Sequence, residues 1–382
     1  MSIVTLYKHD LVGDFPDKLA TFLEEQSNCS KEERKLQFAF RWEENPWLDE
    51  NTAIGWAILD VDGNIHGFMG NIPIMLEYGN TSLYSSSSAT WYISEEYRGK
   101  NSGYIYLLFS RQKENHIYLN TSPTVQVQEM LPAMGFRKIE YEAWNYNHIY
   151  IISILSCIVK KAHVLFTDRM STTKGFMKTV YHMFSVVTKP FTLLPKKRVD
   201  NTSPKQLPTL KTKNGTIQYA ASLKDIAPYL SRHKNTTALE ISKDETTINW
   251  LFFSKSVRNL FNREVFLLFT SDDDYAGYAV VDYPRSNSSM IIRDINMLNY
   301  NQKLVRHFIR YMIKIGREHH RSYLMFRTSD AELSKIINSH GHLKIYTPSS
   351  YFIKVNRHLH ENEEELLSAI KPSGLEPDAG FI

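Results

Sequence analysis

Residues 92–108 read YISEEYRGKNSGYIYLL, which begins as a strand, turns through a small basic loop and ends as a helix. A loop between a strand and a helix leaves backbone N–H groups free at the helix start, and with the helix dipole these make an anion site. Here the loop is Arg98-Gly99-Lys100-Asn101-Ser102-Gly103, two glycines and two short polar residues that admit an anion closely, with two cations. A pyrophosphate suits it.

The segments around the loop predict an α+β domain. FPDKLATFLEEQ (15–26) and SKEERKLQFAFRW (30–42) read as helices, the second with Ser30 as N-cap and Glu33 three residues on. Residues 54–78 read as two strands about the tight turn Asp62-Gly63, and a second turn at Gly79-Asn80 leads into the strand SLYSSSSATWYIS (82–94). After the helix of the opening stretch come a short strand, HIYLNTS, and a helix capped by Ser122 and Pro123. A last extended segment, 137–147, follows.

With its neighbours in place, the opening stretch resembles a known family. SEEYRGKNSGYIYLL, followed by PAMGFRKI (132–139), is similar to the GNAT superfamily of acyl-CoA-dependent acyltransferases, whose loop pattern is Arg/Gln-x-x-Gly-x-Gly/Ala and whose last helix ends in Gly-Phe before a strand. The resemblance covers roughly residues 3–147 and implies acetyl-CoA or another acyl-CoA as cosubstrate, with no metal. By position it assigns the pantetheine arm to Trp91, Tyr92 and Ile93, and the pyrophosphate to Arg98, Gly99, Lys100, Asn101, Ser102, Gly103 and Tyr104. Asn101 replaces the family's middle glycine, and Asn is the residue besides Gly most tolerant of left-handed backbone.

Direct acyl transfer needs a base for the acceptor and an acid for the departing thiolate. Many relatives place a carboxylate on the strand equivalent to 82–94 and a Tyr four residues before the Gly of Gly-Phe; here those places hold Ser85 to Ser88 and Leu131. A base acting through water, or Glu77 or His66, is left for the acceptor, and Tyr141 or Tyr146 as acid. Arg41, Trp42, Glu43 and Glu44, in FRWEENPW (40–47), lie where these enzymes build the acceptor side; the competing reading is a helix end with a buried Trp.

From about Thr216 the order of elements repeats. TIQYAASLKDIAPYLSRH opens like residues 3–23, TTINWLFFSK parallels LQFAFRWEENP, EVFLLFTSDDDYAGYAVVDYP parallels the 54–78 hairpin, and SMIIRDINML parallels 82–94. A helix (301–320), a strand, a helix and a strand complete the second copy. Its counterpart of the loop, MLNYNQKLVRHF, has no glycine, so cofactor binding is expected in the first copy alone. Arg293-Asp294 is expected as a buried ion pair, and the spacing of His319-His320 and of Asp272 to Asp274 fits no standard metal ligand set. The predicted division is 1–148, an acyl-CoA-binding domain; 149–213, a basic helical linker; 214–358, a degenerate second domain; and 359–382, a polar tail.

Composition sets the remaining expectations. Of 382 residues, 42% are apolar and 23% charged, as in packed proteins, and two cysteines offer neither a disulfide framework nor a zinc site. The N-terminus lacks a signal-peptide build, and the apolar run 149–159 is too short to span a bilayer, so it is expected as a buried or interfacial helix and the protein as cytoplasmic. Between Lys160 and Arg198, nine Lys/Arg face the single acid Asp168, a balance of +8. That segment reads as a solvated helix pair packing on both domains, as a basic amphipathic segment on anionic lipid at the inner face of the membrane, or as a surface facing a phosphorylated or lipid-linked acceptor. The overall +4 does not call for nucleic acid.

The resemblance therefore implies a tandem acyltransferase of a bacterial kind, moving an acetyl or similar short acyl group to an amine or hydroxyl of a small polar acceptor, such as an amino sugar or sugar-lipid. The alternatives are a Fem-like aminoacyl transferase and a catalytically inactive CoA-binding scaffold.

Overall fold

The computed structural model describes residues 2–27, 29–153, 209–233, 237–284, 289–338, 342–347, 350–358 and 363–375. The basic segment 160–198 lies outside them.

The first half runs β1 (Ser2–Leu6), α1 (Phe15–Glu25), α2 (Lys31–Phe38), β2 (Gly55–Leu59), β3 (Ile65–Tyr78), β4 (Thr81–Ile93), α3 (Lys100–Phe109), β5 (Ile117–Asn120), α4 (Val125–Met130), β6 (Arg137–Ile139) and β7 (Tyr146–Ile151). The second runs β8 (Leu210–Thr212), β9 (Gly215–Ala220), α5 (Leu223–Leu230), β10 (Glu240–Ile241), α6 (Glu245–Ile248), α7 (Lys255–Phe261), β11 (Glu264–Phe269), β12 (Tyr275–Asp282), β13 (Ser289–Met297), α8 (Gln302–Glu318), β14 (Tyr323–Phe326), α9 (Ala331–Asn338), β15 (Leu343–Tyr346), β16 (Tyr351–Val355) and α10 (Glu363–Ala369). The repeat read from the sequence is present in its main elements, in two mixed sheets flanked by helices, with β8, β10, α7 and α10 added in the second half. It reaches into detail: both α2 and α6 run on into a wide π-turn, Ala39–Glu43 and Asn249–Phe253.

The pairing of the last strands could not be read from the sequence. The first sheet has the order β1-β2-β3-β4-β5-β16-β6, with β10 also on β3, and the second β15-β7-β14-β13-β12-β11-β9-β8. Each half therefore completes the other's sheet. β16 lies between β5 and β6, pairing Phe352 with Asn120 and Lys138, while β7 lies between β14 and β15, pairing Ile149 with Met325 and Leu343. Ile149–Ile151, expected to open a helix, are strand.

Local chemistry explains most element ends. Ser30 Oγ accepts from Glu33 N, as the capping signature predicts. At α4 the N-cap is Thr124 rather than Ser122. One core cluster spans both halves, from Phe40, Ile72 and Leu119 to Leu251, Val280 and Ile353. At its centre the two π-turns meet: Phe40 stacks on Trp250 at 5.3 Å, and Trp250 Nε1 donates to Phe40 O at 2.8 Å. Each large apolar side chain buried here contributes about 1.5–3 kcal/mol.

Candidate acyl-donor cleft

β4 and β5 run parallel for only three residue pairs, Ser85 with Ile117 to Ser87 with Leu119. Beyond them β5 ends at Asn120 while β4 continues to Ile93, so among the described residues no strand lies beside the edge of β4 from Ser88 onward. Its other edge stays on β3, where Gly67 pairs with Ile93 and Phe68 with Tyr92. A register shift between Phe68 and Gly70 marks the parting, and Thr90 opposite it is left-handed at φ 48°. Gly70 leaves little room here: a Cβ would press on Ala89 O at 3.0 Å and on the Trp42 ring at 3.1 Å. Trp91, Tyr92 and Ile93 thus stand on the open edge of β4, where an extended pantetheine arm can add its own hydrogen bonds.

The open edge leads to the loop. Arg98 Nε donates to Ile93 O at 3.0 Å, fixing the turn, and Gly99, at φ 88°, forms the N-cap of α3. Having no side chain, Gly99 cannot satisfy the amides of the first turn, so the dipole and N–H groups are directed outward. A Cβ on Gly99 would meet nothing within 4 Å, and on Gly103 only Met134 Cε at 4.0 Å. The protein's own packing leaves this space open over the helix start. Asn101 is helical rather than left-handed, and its Nδ2 donates to Tyr97 O at 2.9 Å. Tyr104 is exposed. The side chains of Lys100 and Ser102 lie outside the described set.

At the parting point sit groups that the sequence did not single out. Tyr106, buried on α3, accepts from Asn120 Nδ2 at 3.0 Å and packs on Trp91 at 4.9 Å. Burial holds its phenol far above the ordinary value, so it stays protonated and is not a ready acid. Its signal in sequence was faint: one of two tyrosines on an apolar helix.

The other predicted residues lie in different places. Arg41 and Trp42 are buried at the back of the cleft, Arg41 Nη1 donating to Thr90 Oγ1 at 2.6 Å and Trp42 Nε1 to Asn71 O at 2.7 Å, so they brace the bulge. Glu43 is exposed, its carboxyl raised by partial desolvation and then by the charge of Glu44. Glu44 Oε2 accepts from Ser256 N at 3.0 Å across the junction of the halves. Glu77 lies at the far, hairpin end of β3, accepting from Ser242 Oγ at 2.7 Å, and Tyr141 donates to Ile370 O. His66 pairs with Asp60 at 3.1 Å and stacks under Tyr97 at 4.1 Å, beside the loop. Tyr146 opens β7 in the second sheet. The structure therefore gathers Trp91–Tyr104 with Arg41 and Trp42, and does not bring Glu77 or Tyr141 to them. Leu131 is fully buried.

In the second half, Arg293 pairs with Asp282 at 2.7 Å and not with its neighbour Asp294. Among the described residues no three metal-ligating side chains cluster, and no helix is long and apolar enough to cross a membrane.

No protein-family model and no curated protein matches the chain in sequence. Solved structures do match in fold. A conserved protein of unknown function from Enterococcus faecalis, described as a probable N-acyltransferase, is 12% identical, with 93% of this chain and 72% of that one covered at a TM-score of 0.50. The Saccharomyces cerevisiae N-myristoyltransferase with bound myristoyl-CoA is 9% identical over 93% and 78%, at 0.52. A GCN5-related N-acetyltransferase from Anabaena variabilis is 12% identical over 93% and 72%, at 0.51. At such identities the likeness is one of fold. The chain has the tandem GNAT fold.

Proposed function

We propose that the chain is an acyl-CoA-dependent acyltransferase whose donor site is the first-half cleft. One observation carries this reading: the unpartnered edge of β4 runs straight into a helix start capped by Gly99, with open space over Gly99 and Gly103. Pantetheine lies along Trp91–Ile93 and pyrophosphate on the amides from Gly99 to Gly103. An acetyl or other short acyl group moves by direct attack to an amine or hydroxyl of a small polar acceptor, an amino sugar or sugar-lipid being the class to try first. Tyr106 and Asn120 supply hydrogen bonds at the parting point, and the acceptor's proton leaves through water, since no carboxylate stands on β4 between Ser85 and Ile93.

The same missing carboxylate, with Leu131 at the family's Tyr position and Glu77 and Tyr141 engaged elsewhere, favours a second reading, a CoA-binding scaffold without turnover. Thiol release from acetyl-CoA, followed with and without glucosamine, separates the two. Acceptor-dependent release supports transfer, binding without release supports the scaffold, and no binding of any acyl-CoA sinks both. The 160–198 segment is proposed as the contact with anionic lipid, if the acceptor is membrane-borne; vesicle sedimentation with and without that segment tests it.

A further inference from the structure

The second half has a cleft of its own, at the equivalent place. β13 leaves β14 after Ile292, the last residue paired with it, at a bulge that places Arg293 between Ile292 and Asp294. The chain from Lys371 to Leu375 is packed against this opening: a Cβ on Gly374 would lie 2.3 Å from Arg293 O. What remains is a cavity of about 470 Å³, walled by Lys243, Asp294, Tyr300, Arg327, Asp330 and Lys371 among others. That is the size of site that takes a small molecule.

Most of the charges in the wall cancel one another. Lys243 pairs with Glu240 at 2.5 Å and Lys371 with Asp330 at 3.3 Å, while Arg293 and Arg263 share the buried Asp282 at 2.7 and 2.6 Å. His233 carries no charge at neutral pH; burial lowers it to about 4, and it is held between Asn296 Oδ1 at 2.8 Å and Tyr275 Oη at 2.6 Å. Apart from the second guanidinium on Asp282 and the exposed Arg232 at the rim, two half-buried groups are left over. Asp294 makes no ion pair among the described residues, and burial pushes its carboxyl up to about 6. Arg327 gives Nε to Trp144 O at 2.5 Å and Nη2 to Thr347 O at 2.6 Å, both neutral carbonyls, and burial draws the guanidinium down to about 10. Each is a charge kept partly out of water with no direct ion pair among the described residues, since the lysines that act on Asp294, Lys243 and Lys371, are themselves paired with Glu240 and Asp330; a ligand of opposite charge relieves that cost.

We propose that this cavity binds a small zwitterionic molecule, with an amine against Asp294 and a carboxylate or phosphate against Arg327. The site is independent of the acyl-donor cleft. A ligand bearing both charges cancels both leftover groups at once, whereas a plain amine or a plain anion cancels one and leaves the other uncompensated. Selectivity for the zwitterion over its halves is the signature.

Calorimetry on the full chain with glucosamine 6-phosphate, O-phosphoethanolamine and L-glutamate, against ethylamine and inorganic phosphate, tests this. At least one zwitterion is expected to bind tenfold or more tightly than either single-charge probe. Asp294→Asn, nearly isosteric, should weaken it tenfold or more with the melting temperature unchanged. Arg327→Lys, which keeps the charge but cannot reach both carbonyls, should bind between the two. Binding should also weaken as pH falls below about 6, where Asp294 takes a proton under the influence of Lys243, Glu240, Tyr278 and Lys371, and this dependence should vanish in Asp294→Asn. Gly103→Leu should leave it unaltered, which separates its failure from that of the donor site. Phosphate binding as tightly as every zwitterion, no zwitterion binding at millimolar concentration, or full affinity in Asp294→Asn would each overturn the proposal.

Discussion

The two halves share one plan and differ at the helix that follows the parted strand. In the first, Gly99 caps α3 without a side chain, and the space over the first turn is open. In the second, Asn301 caps α8 and its own Oδ1 accepts from Leu304 N at 3.1 Å, so one of the first-turn amides is already taken by the cap. The parted strands differ in the opposite sense. β4 bears no charged residue past Ser85, whereas β13 carries Arg293 and Asp294, and the chain at Gly374 packs against its opening. One half thus has an open helix start beside its parted strand, and the other a cavity lined with charge.

That comparison can be broken in several ways, the most drastic being to separate the halves. Residues 1–153 alone lack β16, leaving β5 and β6 without the strand that joins them; no cooperative melt is expected from this fragment, and a sharp two-state transition would show that the exchange is dispensable. Next in size is the buried triad of the second half. Asp282→Asn leaves Arg263 and Arg293 without their shared carboxylate and should cost about 3–5 kcal/mol in denaturant unfolding. Gly374→Ala forces a Cβ against Arg293 O and should cost about 1–3 kcal/mol, whereas an alanine at Gly103 meets nothing closer than 4.0 Å and should cost well under that.

The smallest effect concerns pH. Burial lowers His148 and His233, both within the second half's structure, to about 4. A histidine depressed in the folded state contributes stability above its unfolded value near 6.5, and that contribution is lost as pH falls from there towards 4. His116 in the first half is lowered by burial with the same sign. The melting temperature should decline between pH 6.5 and 4.5, less steeply in His148→Asn than in the parent; a flat profile would contradict it.

Local signals carried the order of elements and the loop. Ser30 with Glu33 fixed the start of α2, Asp62-Gly63 the β2–β3 turn, and Arg98 to Gly103 the helix start. What stayed hidden was long-range. Nothing in YFIKV (351–355) tells that it pairs with Asn120 rather than within its own half, because a short apolar strand fits any central slot of a twisted sheet. Tyr106 and Asn120 meet only because β5 ends beside α3. Asp294 looked like half of an ion pair with Arg293, yet successive residues on a strand face opposite ways, and the bulge sends Arg293 to Asp282 instead.

In the function proposed above, one half and one helix start bind the acyl donor. Calorimetry with acetyl-CoA on the parent chain and on Gly103→Leu tests it most directly. The account predicts one molecule bound per chain and at least a tenfold loss of affinity, about 1.4 kcal/mol, in Gly103→Leu with the fold intact. Binding to the parent that Gly103→Leu leaves unchanged, or two molecules bound per chain, would contradict it.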